Sequence, residues 1–177
     1  MDRTLRWMDE NLQGAYNAKY APEHPKAGQH CVNSGTCILV CCYINALGKV
    51  LLKGGPKPPR DFPRFQAFLQ CCMPDFLSES RIKALPPTPK GQSSDGDKWL
   101  YEVFRCGFVH NFYPGIEGAW SRRPNLKEYW FPAQSQSGVA LNIDELVRGF
   151  ERGVEEFRRR VKADPDLRAN FQKYLLA

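Results

Sequence analysis

A chain of 177 residues that is 42% hydrophobic can close one well-buried core and is too short for two ordinary domains, so a single domain over 1–177 is expected. No run approaches the ~18 apolar residues that a membrane span needs, and the opening MDRTLRWMDE is charged where a secretory signal is apolar; the expectation is a cytoplasmic protein without membrane contact. The formal net charge of +6 is concentrated in residues 49 to 127, where 13 Lys and Arg face 7 Asp and Glu, a balance that suits a polyanion such as RNA or, equally, an ordinary solvated basic surface.

In chain order, Leu5, Met8, Leu12, Tyr16 and Tyr20 recur at helical spacing and predict an amphipathic helix over 4–20, followed by the loop APEHPKAGQH. Asn33 or Ser34 can cap the next helix, in which Cys37, Val40, Cys41, Ile44, Leu47, Gly48 and Leu51 follow i, i+3, i+4, i+7. Leu39, Cys42, Ala46 and Val50 make its opposite face apolar as well. Such a helix must be buried on two sides, either as the centre of a bundle or with one side in a dimer contact. The stretch KGGPKPPR cannot continue a helix, because its glycines and prolines remove backbone order and donors.

Asp61 is placed to cap a helix carrying Phe65, Phe68, Leu69 and Cys72, which Pro74 stops; a short helix from Asp75, with Phe76 and Leu77, runs towards Ile82 or Leu85. Residues 86–97, PPTPKGQSSDGD, read as a flexible linker. It delivers the chain to KWLYEVFRCGFVHNFYP, residues 98–114, a helix whose core side holds Leu100, Phe104, Gly107 and Phe108. Residues 127–131 and 138–141 lean to β structure around AQSQS and predict a small hairpin. Asn142 with Glu145 resembles a capping box ahead of the stripe Ile143, Leu146, Val147, Phe150, Val154, Phe157 and Val161. Arg158, Arg159 and Arg160 fall in the last turns of that helix, where they favour the dipole as a solvated end. Asp164-Pro165 opens a final helix with Leu167, Phe171 and Leu175. The fold class expected is therefore all-α: an up-and-down bundle of four main helices with short extra helices and a small β-hairpin.

Seven cysteines are an odd number, four of them in the adjacent pairs Cys41-Cys42 and Cys71-Cys72, and most fall on apolar helical positions. They read as buried free thiols. A zinc set of Cys31, Cys37 and His24 or His30 is the alternative, but no C-x2-C pair supports it, so no metal and no cofactor is expected. No phosphate-binding loop, dinucleotide fingerprint or H-E-x-x-H is present, and neither Ser121 nor Ser137 has a nearby His.

The chemistry concentrates on Arg105 and His110. Five residues turn an ideal α-helix by about 140°, so the two cannot sit side by side without a local bulge, which Gly107 permits, or a second copy of the chain. Pro114 ends the helix just beyond, placing His110 near the negative end of the helix dipole, where its protonated form is favoured. The bland alternative is that Arg105 pairs with Glu102 at i−3 and His110 bonds to the helix end.

Arg105-Cys-Gly-Phe-Val-His110 resembles the R-x4-6-H motif of the HEPN domain superfamily, helical bundles that include metal-independent endoribonuclease toxins. The buried upstream helix CCYINALGK, the motif on a later apolar helix and the closing amphipathic helix are similar to that layout, a likeness covering Cys31 to the C-terminus. It implies that Arg105 and His110 are catalytic, that Glu102, Cys106 and Asn111 flank them, and that a homodimer joins two such pairs to cut single-stranded RNA by 2′-OH attack. It also implies a toxin or defence role, with a cognate antitoxin or regulatory protein as partner. Arg122 and Arg123 are candidate RNA contacts. In the nuclease members the residue after the arginine is usually polar, often Asn or Asp, whereas here it is Cys106. That departure favours the alternative, a catalytically silent HEPN-like protein that binds nucleic acid, nucleotide or a protein. A helical interaction protein with no ligand is the third reading. Trp99, Tyr101, Phe112, Tyr113, Trp120 and Trp130 suit base stacking, though their helical spacing suits the core better.

Overall fold

The computed structural model describes residues 1–19, 22, 34–52, 61–79, 95–107, 119–133 and 138–175. Among them the helices are α1 (Asp2–Asn17), α2 (Ser34–Leu51), α3 (Asp61–Cys72), α4 (Pro74–Ser78), α5 (Gly96–Trp99), which runs on as a π-helical segment (Leu100–Cys106), α6 (Ile143–Ala163) and α7 (Pro165–Leu175). The strands are β1 (Trp120–Ser121), β2 (Trp130–Pro132) and β3 (Val139–Asn142). The fold is the expected all-α helical bundle with a small β element.

The centre of the bundle is α2. Cys37, Val40, Cys41, Ile44 and Leu47 are fully buried, and α1, α3, the π-helical segment, α6 and α7 all pack on it. This helix also corrects one expectation: its 18 residues, with a mean hydropathy of 1.5, are long and apolar enough by length and composition to cross a membrane. Packing by five neighbours accounts for that apolarity inside the fold. Of the opposite face, Val50 is buried, Leu39 and Ala46 are half-buried, and Cys42 is exposed. A Cβ on Gly48 would run into the carbonyl group of Arg64, so α2 and α3 approach at a distance that only glycine allows.

Several boundaries differ from the periodicity. The first helix starts two residues earlier than expected and ends at Asn17, with the Ala18 N–H closing the last turn on the Ala15 carbonyl. Asp61 is the first residue of α3, and its carboxylate accepts from two arginine side chains. Pro74 ends α3 and also opens α4, with Met73 between them. The short helix does not run towards Ile82 or Leu85: it ends at Ser78, where Glu79 turns extended; residues 80–94 lie outside the described residues, as does most of the expected linker. The linker's last residues are folded: Asp97 is buried, accepting from Gln66 Nε2 at 2.8 Å and from the Lys98 N–H at 2.7 Å.

The expected hairpin is β2 with β3, antiparallel, with Trp130 opposite Leu141 and Pro132 opposite Val139. β1 adds a parallel third strand on the other side of β3, giving the order β1-β3-β2. Two residues are too short to show alternation, so this strand left no signal in the sequence. The sheet delivers Asn142 to the start of α6, where its side-chain oxygen accepts from the N–H groups of Asp144 and Arg123 and its amide donates to the carbonyls of Arg123, Leu126 and Glu128. The cap is therefore real, but the reciprocal half of the box is not formed. Glu145 turns instead to Arg148 at 2.8 Å and Arg152 at 2.9 Å.

Along α6 the whole predicted stripe is buried except Val154, which is half-buried. Arg158, Arg159 and Arg160 pair with Glu155 and Glu156 on the same helix; Arg159 is solvated as expected, whereas Arg158 is only 26% exposed and also reaches Asp2 of α1 at 3.6 Å. Asp164 caps α7 through the N–H groups of Asp166 and Leu167, at 2.9 and 3.2 Å.

Candidate functional site

Arg105 sits in the last turn of the π-helical segment, whose inner residues Leu100, Val103 and Phe104 are buried. In a π-helix residue i bonds to i+5, which gives a wider turn than the α-helix. The π-helical turns precede Arg105 and end at Cys106, with Gly107 α-helical after them. His110, Asn111, Phe112 and Tyr113 themselves lie outside the described residues.

The Arg105 side chain is only 15% exposed, and three groups hold it. Its NH2 donates to Asp61 Oδ2 at 2.9 Å, its NH1 faces the Cys106 Sγ at 3.8 Å, and the guanidinium lies 5.3 Å from the centre of the Tyr101 ring. Burial opposes its charge, but Cys106, Tyr101 and Asp61 together outweigh that and raise its pKa above the ordinary value. The group stays a cation. Tyr101 is in turn fixed edge-on by Phe62 at 5.1 Å and Phe65 at 5.4 Å.

The sequence suggested Glu102 as the ionic partner of Arg105, and this is corrected: the partner is Asp61, 44 positions away. One Glu102 oxygen is buried without a hydrogen-bond partner among the described residues. The same Asp61 carboxylate also accepts from Arg64 NH1 at 3.3 Å through its other oxygen. Arg64 was not a candidate from sequence. The i, i+3 spacing of Asp61 and Arg64 is visible there, but the convergence of both on Arg105 depends on how α3 packs against the rest.

Arg122 and Arg123, paired as RNA contacts in the sequence, play different parts. Arg122 lies over the Tyr16 ring at 4.1 Å, and its Nε bonds at 3.0 Å to the fully buried Asp144, which also accepts from the Tyr16 hydroxyl at 2.7 Å. That arginine ties α1 to the start of α6. Truncating it would leave a buried carboxylate without its counter-ion, a loss of about 3–5 kcal/mol. Arg123 is exposed, with its guanidinium 5.3 Å from the Phe131 ring, and it remains open to a ligand. Trp99 and Trp130 are core residues, at 1% and 0% exposure, so the stacking role suggested for the aromatics does not extend to these two.

Among the described residues no group of three or more His, Cys, Asp and Glu could hold a metal ion; Cys31, His24 and His30 lie outside them. Cys37 and Cys41 share a buried hydrogen bond that, with burial, pushes the Cys41 thiol well up, and burial pushes Cys72 to about 12. Both are inert as nucleophiles at neutral pH. Cys42, by contrast, is exposed rather than buried as expected.

A cavity of about 510 Å³ lies between α1 and α6 with Leu5, Phe150 and Val154 at its floor and Arg6, Asp9 and Glu151 on its rim. Neither Arg105 nor its partners line it. No protein-family model, no curated protein and no solved structure matches this chain.

Proposed function

We propose that the protein is a metal-independent endoribonuclease of the HEPN type, working as a homodimer on single-stranded RNA in the cytoplasm as a toxin or defence component under a cognate antitoxin or regulator. The observation that supports this reading best is the state of Arg105: a charged guanidinium at the end of a π-helical turn, with an ionic partner that is 43% exposed. In the reaction one histidine takes the proton from the 2′-OH and a second protonates the leaving 5′-oxygen, while arginine grips the phosphoryl oxygens as charge develops. One His110 per chain serves one of those proton transfers, and the second copy supplies the other.

A second reading, a catalytically silent HEPN-like protein that binds nucleic acid, nucleotide or a protein, draws on Cys106 and on the engagement of Arg105 with Asp61. One experiment separates the two. Purified protein in excess EDTA should cut single-stranded RNA and leave a 2′,3′-cyclic phosphate. His110→Ala should lower the rate by about 10²–10⁴-fold, the usual worth of a proton-transfer group. Arg105→Lys should also fail, since an ammonium keeps the charge and loses the two-pronged grip. Equal residual cleavage by wild type and His110→Ala would mark contamination and leave the silent reading.

A further inference from the structure

We propose that Arg64 and Arg105 form a two-guanidinium seat for one backbone phosphate of a single-stranded nucleic acid, with Asp61 as the built-in counter-ion that this phosphate displaces. The proposal rests on reading the site as one that engages RNA, and it names a contact that the R-x4-H motif does not contain.

The geometry of the pair is the starting point. The two oxygens of one carboxylate go to different arginines: Oδ1 accepts from Arg64 NH1 at 3.3 Å, and Oδ2 accepts from Arg105 NH2 at 2.9 Å. An anion with two outward oxygens already occupies the space between two guanidiniums, and a phosphodiester presents the same two oxygens in a shape that arginine forks match. Burial divides the roles. The side chains of Arg64 and Arg105 are 18% and 15% exposed, whereas Asp61 is 43% exposed, so the cations are set into the fold and the anion is the member that solvent and ligands reach first.

Both arginines also keep unused donors, since the Nε of each is buried with no acceptor among the described residues. Two guanidiniums against one carboxylate leave the trio one positive charge in excess. Asp61 opens the 12-residue helix α3, whose N-terminal N–H groups add partial positive charge at the same point. A phosphodiester carries the one negative charge that the trio lacks.

The seat is held from behind. The backbone of Arg64 lies against Gly48 of α2, and Tyr101, gripped by Phe62 and Phe65, lies against the Arg105 guanidinium. Neither arginine has to be recruited from solution, so little ordering entropy opposes binding.

The test is the binding of a fluorescent 2′-O-methyl oligoribonucleotide, which cannot be cleaved, measured by anisotropy over a salt series with inorganic phosphate as competitor. Arg64→Gln should weaken binding by about tenfold, the worth of one charge-assisted hydrogen bond, and should flatten the salt dependence by about one phosphate contact. Arg64→Lys should keep the salt slope and lose part of the affinity. Asp61→Asn should tighten binding, because the phosphate no longer competes with a resident carboxylate. Circular dichroism melts of each variant verify folding, and Arg64→Lys serves if Arg64→Gln does not fold. Unchanged binding and salt slope in the folded Arg64 variant, or weaker binding in Asp61→Asn, would overturn the proposal. So would a wild type that takes inorganic phosphate but no oligonucleotide. Because the probe cannot react, the result is independent of whether the protein cleaves RNA: a seat that binds in a protein that does not cut would fail only the nuclease reading.

Discussion

Among single residues, the glycines show how much one hydrogen in place of a methyl can decide. A methyl group on Gly14 of α1 would meet nothing within 4 Å, so Gly14→Ala removes only unfolded-state freedom and should stabilise by about 0.5–1 kcal/mol. A methyl on Gly48 would instead meet backbone, lying 2.7 Å from the carbonyl carbon of Arg64, and the backbone of a packed helix cannot step aside. Gly48→Ala should therefore cost at least about 1–3 kcal/mol of overpacking and shift α3, which carries Asp61 and Arg64. Thermal melts of the two variants read the contrast; a Gly48→Ala protein as stable as Gly14→Ala would mean that α2 and α3 do not cross closely. The sequence places Gly48 on the core-facing stripe of its helix and Gly14 off the stripe of its own, but it does not show that the backbone of α3 comes against Gly48. The partner of Arg105 is a similar case: Glu102 is nearer along the chain, and Asp61 is nearer in space.

At the scale of elements, α6 was legible from cap to final turn because its signals are local. Asn142, the apolar stripe and the terminal arginines each speak for the helix that contains them. The same locality sets its acid response. Hydrogen bonds from Arg159 and then Arg160 hold the Glu156 carboxyl down at about 2, from an ordinary 4.5. A depressed carboxylate contributes stability that is fully present above pH 4.5 and is lost as the pH falls towards 2. The pairs are on the surface, so the contribution is small and salt screens it. Melting temperature should fall more between pH 5 and 2 for wild type than for Glu156→Gln, and the difference should shrink in high salt. Parallel acid profiles for the two proteins would mean that these ion pairs contribute nothing to the fold. The segment after Trp99 is the opposite case. Its apolar spacing reads as α-helix, and the wider π turn carries no composition of its own, because it arises where neighbouring packing and hydrogen bonding favour i to i+5.

For the whole molecule, the proposed chemistry has a consequence for assembly, since one chain carries a single Arg105 and His110 pair. Light scattering at micromolar concentration should give twice the chain mass. A strictly monomeric mass would remove the shared-site mechanism while leaving a single phosphate seat at Arg64 and Arg105 intact. Trp7, the large hydrophobic residue most open to solvent among those described, at 57% exposure, offers a practical reporter: its emission should respond to dilution if its face of α1 takes part.

Residue order was enough to determine where the main helices lie, which side of α2 and which stripe of α6 face the core, and that a hairpin precedes α6. These follow from hydrophobic period, caps and turn residues, all written within a few positions of one another. Three-dimensional packing was needed to decide that Asp61 and Arg64 converge on Arg105, that Arg122 is spent on Asp144 while Arg123 stays open, and that a parallel strand at Trp120 completes the sheet. The difference is one of range. Charged side chains choose partners by distance in space, and the helix packing that sets those distances is a property of the whole core, with no trace in the spacing of any one segment.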